Sequence, residues 1–143
     1  MHYTAVVTKE GKQTLAEFPG CPGCQTFADP SEDIAERAEE ALAGWLEAHL
    51  ASGQAPPEPK KLRSKGRGRT IEVPVPAKLA VKLAVRWARK RAGMTQADLA
   101  RRAGLTQPAV ARLEDPDYNP TLDMLERVAA ALGTRLEVDL RAA

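Results

Sequence analysis

The sequence is poor in the residues and segments that mark several classes of protein. Two cysteines among 143 residues are too few for a disulfide framework. No stretch approaches the ~18 consecutive apolar residues that a membrane helix needs, and the first residues lack the basic segment and long apolar run of a secretion signal. We therefore expect a cytoplasmic protein that has no membrane segment and needs no cofactor.

Groups for catalysis are also scarce. His2 lies near the N-terminus and His49 near the end of a predicted helix, and neither forms a pattern with a nucleophile; we interpret His49 as a surface or interface residue. Cys21 and Cys24 have the spacing of redox and metal motifs. A zinc site needs two further ligands, which we do not find, and a redox pair is expected to open a helix after a strand. We interpret the two cysteines as buried turn residues and expect no enzyme and no metal site.

The charged residues that are present are distributed unevenly. Residues 1–53 hold three Lys/Arg and nine Asp/Glu (net −6), residues 54–78 hold seven and two (net +5), and residues 79–143 hold eleven and eight (net +3). An acidic first part and a basic remainder favour a basic protein partner for the former and a polyanion for the latter. Ordinary scatter of charge is the alternative.

The first part of the chain has an α+β pattern. Three strands are predicted, at Thr4–Thr8, Gln13–Phe18 and Gln25–Ala28, and the first two form a hairpin. Asp29 is predicted to cap a helix, with Glu32 bonding back to the cap, and Gly53 to end it. The apolar face of this helix consists of Ile34, Ala38, Leu42, Leu46 and Leu50.

A proline-rich basic segment follows this helix. Residues 54–69 contain three prolines and six Lys/Arg with almost nothing to bury, so we predict a flexible loop, either solvated or in contact with nucleic acid. Residues 70–76 alternate like a fourth strand, which Pro74 and Pro76 would confine to a sheet edge or end.

Residues Gln96–Leu113 carry the strongest pattern in the chain. Two helices joined steeply through a tight turn need a small residue at their crossing, a glycine able to adopt a left-handed conformation, and apolar residues that hold the second helix. Ala100, Gly104 and Val110 meet these needs. The remaining inward positions are held by Leu99, Ala103, Leu105 and Leu113. The pattern predicts a helix-turn-helix.

The flanking segments complete a small helical domain. A helix from Leu79 to Ala92 precedes the motif, Thr95 caps its first helix, and Thr121 caps a last helix that ends at Gly133. The arrangement resembles the Cro and phage-repressor class of DNA-binding domains. The tail, Thr134–Leu140, alternates like a short strand, which either helps to dimerise the protein or covers the core of its own domain.

The resemblance implies which residues meet operator DNA. In this class the second helix of the motif enters the major groove of DNA, and the start of the first helix contacts the DNA backbone. Gln96 would donate to a phosphate from a helix N-terminus. Gln107 would pair with adenine and Arg112 with guanine or a phosphate, although a solvated charge is the alternative for Arg112. Thr106 would also face the groove, and Pro108 would pack on a thymine methyl. Weaker phosphate candidates are Arg101, Arg102 and Asn119.

The first part of the chain resembles the HicB-type antitoxin family. The resemblance rests on Tyr3–Val7, the turn Phe18–Cys24, the helix Ile34–Leu50 and the strand Ile71–Val75, which leads into Leu79–Lys82. It implies an incomplete RNase H-like β-β-β-α-β head, residues 1–76, and a DNA-binding tail, residues 77–143, that is helical apart from a short C-terminal strand.

In that family the head binds and masks a small basic messenger-cleaving toxin of the HicA type, and the tail represses the operon that encodes both proteins. Because two half-sites must be read, we expect a dimer or tetramer. Cys21 and Ala28–Pro30 depart from the family pattern, so the resemblance assigns no toxin contacts.

Two other functions are compatible with the sequence. The first is a one-component transcription regulator whose head binds a small molecule or only dimerises. The second is a residual RNA-cleaving head. RNase H chemistry needs several carboxylates converging on two metal ions, whereas the first three predicted strands and the turns between them contribute only Glu10 and Glu17.

Overall fold

The computed structural model describes residues 1–64, 66 and 68–142. The chain divides into two compact units, Met1–Ala80 and Val81–Ala143. The predicted domain bounds, 1–76 and 77–143, place the boundary a few residues earlier. Lys65 and Arg67 of the predicted basic loop lie outside the described residues.

The first unit is built on an antiparallel sheet, and the order of its elements, β-β-β-α-β, is the predicted one. Its strands are β1 (His2–Glu10), β2 (Gln13–Glu17), β3 (Gln25–Ala28) and β4 (Arg69–Pro74). Their order across the sheet is β3-β2-β1-β4. β4 therefore lies at an edge, where a proline costs no ladder hydrogen bond.

The core of this unit lies between the sheet and the helix α1 (Ile34–Ala51). Val7 pairs with Ala16 and Tyr3 with Val73 across neighbouring strands, and all four are buried, because directly opposed residues share a face of the sheet. From the helix, the predicted apolar face is the buried one: Ile34, Ala38, Leu42, Leu46 and Leu50. Burying each of the larger side chains contributes about 1.5–3 kcal/mol.

The start of α1 differs from the prediction. Its N-cap is Asp33, whose side chain accepts a hydrogen bond from the Ala35 N–H, and not Asp29. The Glu32 carboxylate does accept the Asp29 N–H at 2.8 Å, but these residues close a separate turn, in which the Glu32 N–H donates to the Asp29 carbonyl. Two acceptor side chains four positions apart offer the same capping chemistry, and the helix begins where Ile34 enters the core.

The segment after α1 is more ordered than the sequence indicates. Pro56 is buried, the Tyr3 hydroxyl donates to the Pro57 carbonyl at 2.6 Å, and the Leu62 N–H donates to the Thr4 hydroxyl at 3.3 Å. The described residues up to 64 therefore include contacts to β1, which differs from the predicted loop with almost nothing to bury.

The second unit is helical. Its elements are α2 (Ala77–Arg91), within which the division between the units falls, then α3 (Gln96–Ala103), α4 (Gln107–Leu113) and α5 (Leu122–Ala131). Thr95 and Thr121 cap α3 and α5 as predicted, and Thr106 caps α4. The buried core of this unit consists of Leu99, Ala100, Ala103, Val110, Leu113, Leu125 and Val128.

The predicted C-terminal strand is not formed. Among the described residues 134–142 no strand is present. Leu136 packs against the helical core, but Val138 is 70% and Leu140 95% exposed. An alternating segment becomes a strand only when a neighbouring strand takes up its N–H and C=O groups, and no segment among the described residues does so for the tail.

Candidate nucleic-acid interface

The turn between α3 and α4 has the predicted chemistry. Gly104 caps α3 in the left-handed conformation, at φ 66°, where a Cβ would strain the backbone. The Leu105 N–H donates to the Ala100 carbonyl at 2.8 Å. Ala100 and Val110 are buried at the packing of the two helices. The result is a helix-turn-helix whose two helix N-termini each carry a glutamine.

Those two glutamines are in contact. Gln96 is the first residue of α3 and Gln107 the first residue of α4, and the Gln107 Nε2 donates to the Gln96 Oε1 at 2.9 Å. Gln107 is exposed and Gln96 is half-buried. The structure therefore brings together the predicted phosphate donor and the predicted base reader.

A buried carboxylate lies behind this pair. Glu114, directly after α4, has a side chain only 1% exposed, and it forms ion pairs with Arg86 at 3.0 Å and Arg89 at 2.6 Å. Arg89 is bidentate, since its second nitrogen reaches the other Glu114 oxygen at 3.0 Å. The same carboxylate accepts from the Gln96 Nε2 at 3.3 Å. Glu114 thus joins α2 to the start of α3, since it pairs with two arginines of the former and accepts from Gln96 of the latter.

Opposing effects act on the pKa of Glu114. Burial raises it, but the hydrogen bond and charge of Arg89, the charge of Arg86 and the hydrogen bond from Gln96 outweigh burial and hold the pKa below its ordinary value. The group is therefore a carboxylate at neutral pH, and a carboxylate only accepts hydrogen bonds.

This charge determines how both glutamine amides are oriented. Because Glu114 accepts only, Gln96 must turn its Nε2 toward the carboxylate and its Oε1 toward α4. Gln107 must then turn its Nε2 toward Gln96. One Nε2 hydrogen and the Oε1 of Gln107 remain for an external ligand, which is the donor and acceptor set that adenine requires.

The other predicted groove residues lie along α4. Thr106 is exposed, but its hydroxyl is engaged in capping, because it accepts from the Ala109 N–H at 3.3 Å. Pro108 is exposed in the first turn and Arg112 in the last. The Arg112 guanidinium carbon lies 5.8 Å from the centre of the Tyr118 ring, within the range of a cation–π contact.

The weaker candidates do not lie at the helix N-termini that carry the two glutamines. Arg101 and Arg102 lie at the C-terminal end of α3 and are exposed, and Arg101 forms an ion pair with Asp98. Asn119 is exposed in the segment between α4 and α5.

Several side chains that organise this surface were not identified from the sequence. The Lys82 side chain is fully buried and donates to the carbonyls of Asp115 and Tyr118. In the sequence, basic residues on a helix such as α2 are typical of a solvated face. The available signal was the spacing of Lys82, Arg86 and Arg89, which places them on one side of α2.

The cysteines of the first unit lie where the sequence predicts. Cys21 and Cys24 are buried, free thiols. Burial and the neighbouring Cys24 raise the pKa of Cys21 to about 12. Burial raises the pKa of Cys24 to about 11. A protonated, buried thiol is a poor nucleophile and metal ligand. In the part of the chain that the structure describes, no group of three or more His, Cys, Asp or Glu is arranged to hold a metal ion.

The acidic residues of the first unit are concentrated in one stretch. Of the nine in residues 1–53, seven lie in the turn before α1 and on α1, and all seven are exposed. They are Asp29, Glu32, Asp33, Glu36, Glu39, Glu40 and Glu47.

Over the described ranges 1–64, 66 and 68–142, no helix is long and apolar enough to span a bilayer.

Fold and site together define a DNA-binding protein of the helix-turn-helix class with a separate α+β unit at its N-terminus. A helix-turn-helix family profile matches residues 85–138. The profile of the HicB-like antitoxins of bacterial toxin–antitoxin systems matches residues 3–89, which is more than half of the chain. The chain therefore belongs to the HicB-like antitoxin family, as its sequence predicts.

Individual proteins are similar to this chain over different lengths. Antitoxin HicB 1 of Photorhabdus laumondii is 28% identical over 126 residues, which cover 88% of this chain and 77% of the relative. An uncharacterised HTH-type transcriptional regulator of Methanothermobacter thermautotrophicus is 43% identical over 49 residues, 34% of this chain and 71% of the relative. A solved structure of a HicA3 and HicB3 toxin–antitoxin complex has a TM-score of 0.47 and 27% identity, and the match covers 53% of this chain and 99% of that one.

Proposed function

We propose that this protein is the antitoxin of a HicAB-like system, whose first unit masks a small basic messenger-cleaving toxin and whose second unit represses the operon that encodes both. Membership of the HicB-like family supports the first role. The observation that carries the second is the chain of hydrogen bonds from buried Glu114 through Gln96 to exposed Gln107, which presents an oriented amide at the start of α4. The proposal assigns the protein no catalytic step.

In the proposed DNA complex, α4 lies in the major groove. Gln107 reads an adenine, Arg112 a guanine or a phosphate, and Pro108 contacts a thymine methyl. Gln96 binds a phosphate at the N-terminus of α3, where the helix dipole favours an anion. Thr106 fixes the start of α4 at the groove, and the outer phosphates are contacted by Arg101, Arg102 and Asn119.

The proposed toxin contact depends on charge. The seven exposed carboxylates of the turn and α1 form an acidic surface, which we call the α1 surface. Such a surface attracts a basic partner and speeds association, and the effect weakens as salt rises.

The proposed repressor is at least a dimer. Val138 and Leu140 alternate with charged residues in the tail and are exposed, so the same segment of a second copy could pair with it as a strand and cover them. Analytical ultracentrifugation of the full chain tests this, and a monomer that persists across micromolar concentrations would contradict it.

Base reading is tested by comparing two DNA probes. One is a duplex selected from a random library by the wild-type protein, and the other is a random duplex of equal length. Gln107→Ala should weaken binding to the selected duplex by about 1–3 kcal/mol and leave the random duplex unchanged, because only the base contact is lost. Gln96→Ala should weaken binding to both duplexes, because a phosphate contact carries no sequence information, and binding to the selected duplex more, because Gln107 loses the partner that orients it. Equal losses for Gln107→Ala would place it on phosphate only.

Toxin binding is tested by co-purifying the full chain with the product of the adjacent reading frame and measuring the association rate. Glu39→Gln/Glu47→Gln on the α1 surface should slow association at low salt more than Glu10→Gln/Glu17→Gln, which removes equal charge from β1 and β2. If the adjacent product is not captured, and a metabolite shifts DNA binding instead, the ligand-sensing regulator replaces the antitoxin.

A further inference from the structure

The segment between α4 and α5 is fixed from inside the second unit. The Lys82 side chain on α2 is fully buried, and its ammonium group donates to the carbonyls of Asp115 and Tyr118. An ammonium group is buried at high cost unless it is fully hydrogen-bonded. These contacts therefore belong to the folded state and do not form only when a ligand binds.

Tyr118 is held by this arrangement through its backbone. Its N–H donates to the Asp115 carbonyl at 3.2 Å, while its own carbonyl accepts from Lys82. Its hydroxyl lies 4.0 Å from the Met124 sulfur on α5. The backbone is thus bonded on both sides of the Tyr118 Cα, and the half-buried ring has a defined position.

That ring faces the last turn of α4. The Arg112 guanidinium carbon lies 5.8 Å from the ring centre, and Arg112 is itself exposed. A free arginine side chain samples many rotamers, and ordering it on DNA costs entropy. An aromatic face under the guanidinium reduces that cost before DNA arrives.

We infer that Tyr118 is a specificity-determining positioning residue, which holds the Arg112 guanidinium so that it reads one base of the operator. This inference rests on the proposed DNA-binding function and adds to it a residue outside the helix-turn-helix. Tyr118 acts through Arg112, and the Lys82 contacts fix the backbone on which the ring is carried.

The test is a double-mutant cycle on the full chain. The measured quantity is the preference for a duplex selected by the wild-type protein over a random duplex of equal length. Tyr118→Leu keeps an apolar side chain and removes the ring, and we expect it to lower the preference by about three- to tenfold. Tyr118→Phe keeps the ring and should preserve the preference within about twofold. In an Arg112→Ala background, Tyr118→Leu should have no further effect.

The outcomes separate this inference from the function on which it rests. A wild-type chain that prefers no selected duplex over random DNA would contradict the proposed DNA reading itself. If the wild-type preference is present, an unchanged preference in Tyr118→Leu, or equal losses on both duplexes, overturns the positioning role. So does a loss of equal size in the Arg112→Ala background, since Tyr118 would then act through the fold and not through Arg112.

Discussion

Gly104 is a position where the backbone alone determines which residue is accepted. Its φ of 66° lies in the left-handed region, yet a Cβ built there would meet no atom within 4 Å. The constraint is therefore conformational and not a matter of space. The glycine is needed for the turn that sets the angle between α3 and α4.

We expect Gly104→Val to destabilise the second unit by about 1–3 kcal/mol, because a β-branched residue is strained at positive φ. Gly104→Asn is the matched control, since asparagine tolerates this conformation better. Urea unfolding can be followed by Trp87 fluorescence in a Trp45→Phe background, which leaves one tryptophan. A Gly104→Val protein that unfolds at the wild-type urea concentration would contradict our placement of the turn.

Glu114 is the second residue on which the domain depends. Its single negative charge is shared by two arginines that are themselves nearly buried, Arg86 at 5% and Arg89 at 11% side-chain exposure. Removing one partner of such a network leaves buried charge without compensation. Its contribution to stability therefore exceeds that of an exposed pair such as Arg37–Glu40, for which ~0–1 kcal/mol is typical.

We expect Glu114→Gln to destabilise the second unit by about 3–5 kcal/mol at neutral pH. The pKa of Glu114 is lowered in the folded chain from 4.5, so its contribution is present above the unfolded pKa and is lost as the pH falls through the folded value. The difference between wild type and variant should therefore shrink below about pH 4.5. Urea unfolding at several pH values, monitored as for Gly104, measures this, and a constant difference down to pH 3 would contradict it.

Most helix and strand positions could be predicted from local patterns. The caps Thr95 and Thr121, the turn at Gly104 and the apolar face of α1 are recognisable because each depends on residues close in sequence. The start of α1 was predicted wrongly at Asp29 and not at Asp33, because both residues offer the same capping chemistry. The tail was predicted as a strand from its alternation alone, although strand formation depends on a partner that alternation does not identify.

The candidate site was predictable only on its exposed side. Gln96 and Gln107 were predicted from their positions in the motif, and the structure joins them. The residues behind them were not, since Lys82, Arg86 and Glu114 are buried through contacts about 30 positions apart in sequence. A charged residue buried in a long-range network has the same local pattern as a solvated one.

Gly68, directly before β4, lies where β4 packs closely against β1. Gly68 has a φ of +135°, and a Cβ there would lie 2.8 Å from both the Val7 carbonyl oxygen and the Thr8 Cγ2 on β1. A separation this short forces the two strands apart. Gly68 therefore permits β4 to approach β1 at this end of the sheet.

We expect Gly68→Ala to destabilise the first unit by about 1–3 kcal/mol, through the strained φ and the displaced strand. Gly66→Ala is the matched control, because a Cβ at Gly66 meets no atom within 4 Å. Trp45 fluorescence in a Trp87→Phe background reports urea unfolding of this unit. Equal unfolding midpoints for the two variants would show that the close approach does not constrain the sheet.

In the proposed function the two units act separately, the first on a protein and the second on DNA. Each has its own buried core, and the division between them falls inside α2. Fragments should therefore overlap, with residues 1–80 for the first unit and 77–143 for the second, so that both retain the start of α2. Each fragment should unfold cooperatively by itself.

We expect residues 1–80 to capture and inhibit the adjacent toxin without binding the selected duplex. Residues 77–143 should bind that duplex and leave the toxin active. Operator binding by the second fragment should be weaker than that of the full chain if the first unit adds to dimerisation, because linked binding of two half-sites raises the apparent affinity. Pull-down of the toxin and titration of the DNA measure both activities on the same preparations. Circular dichroism checks that the first fragment is folded. If a folded first fragment fails to inhibit the toxin while the full chain inhibits it, the second unit takes part in masking the toxin.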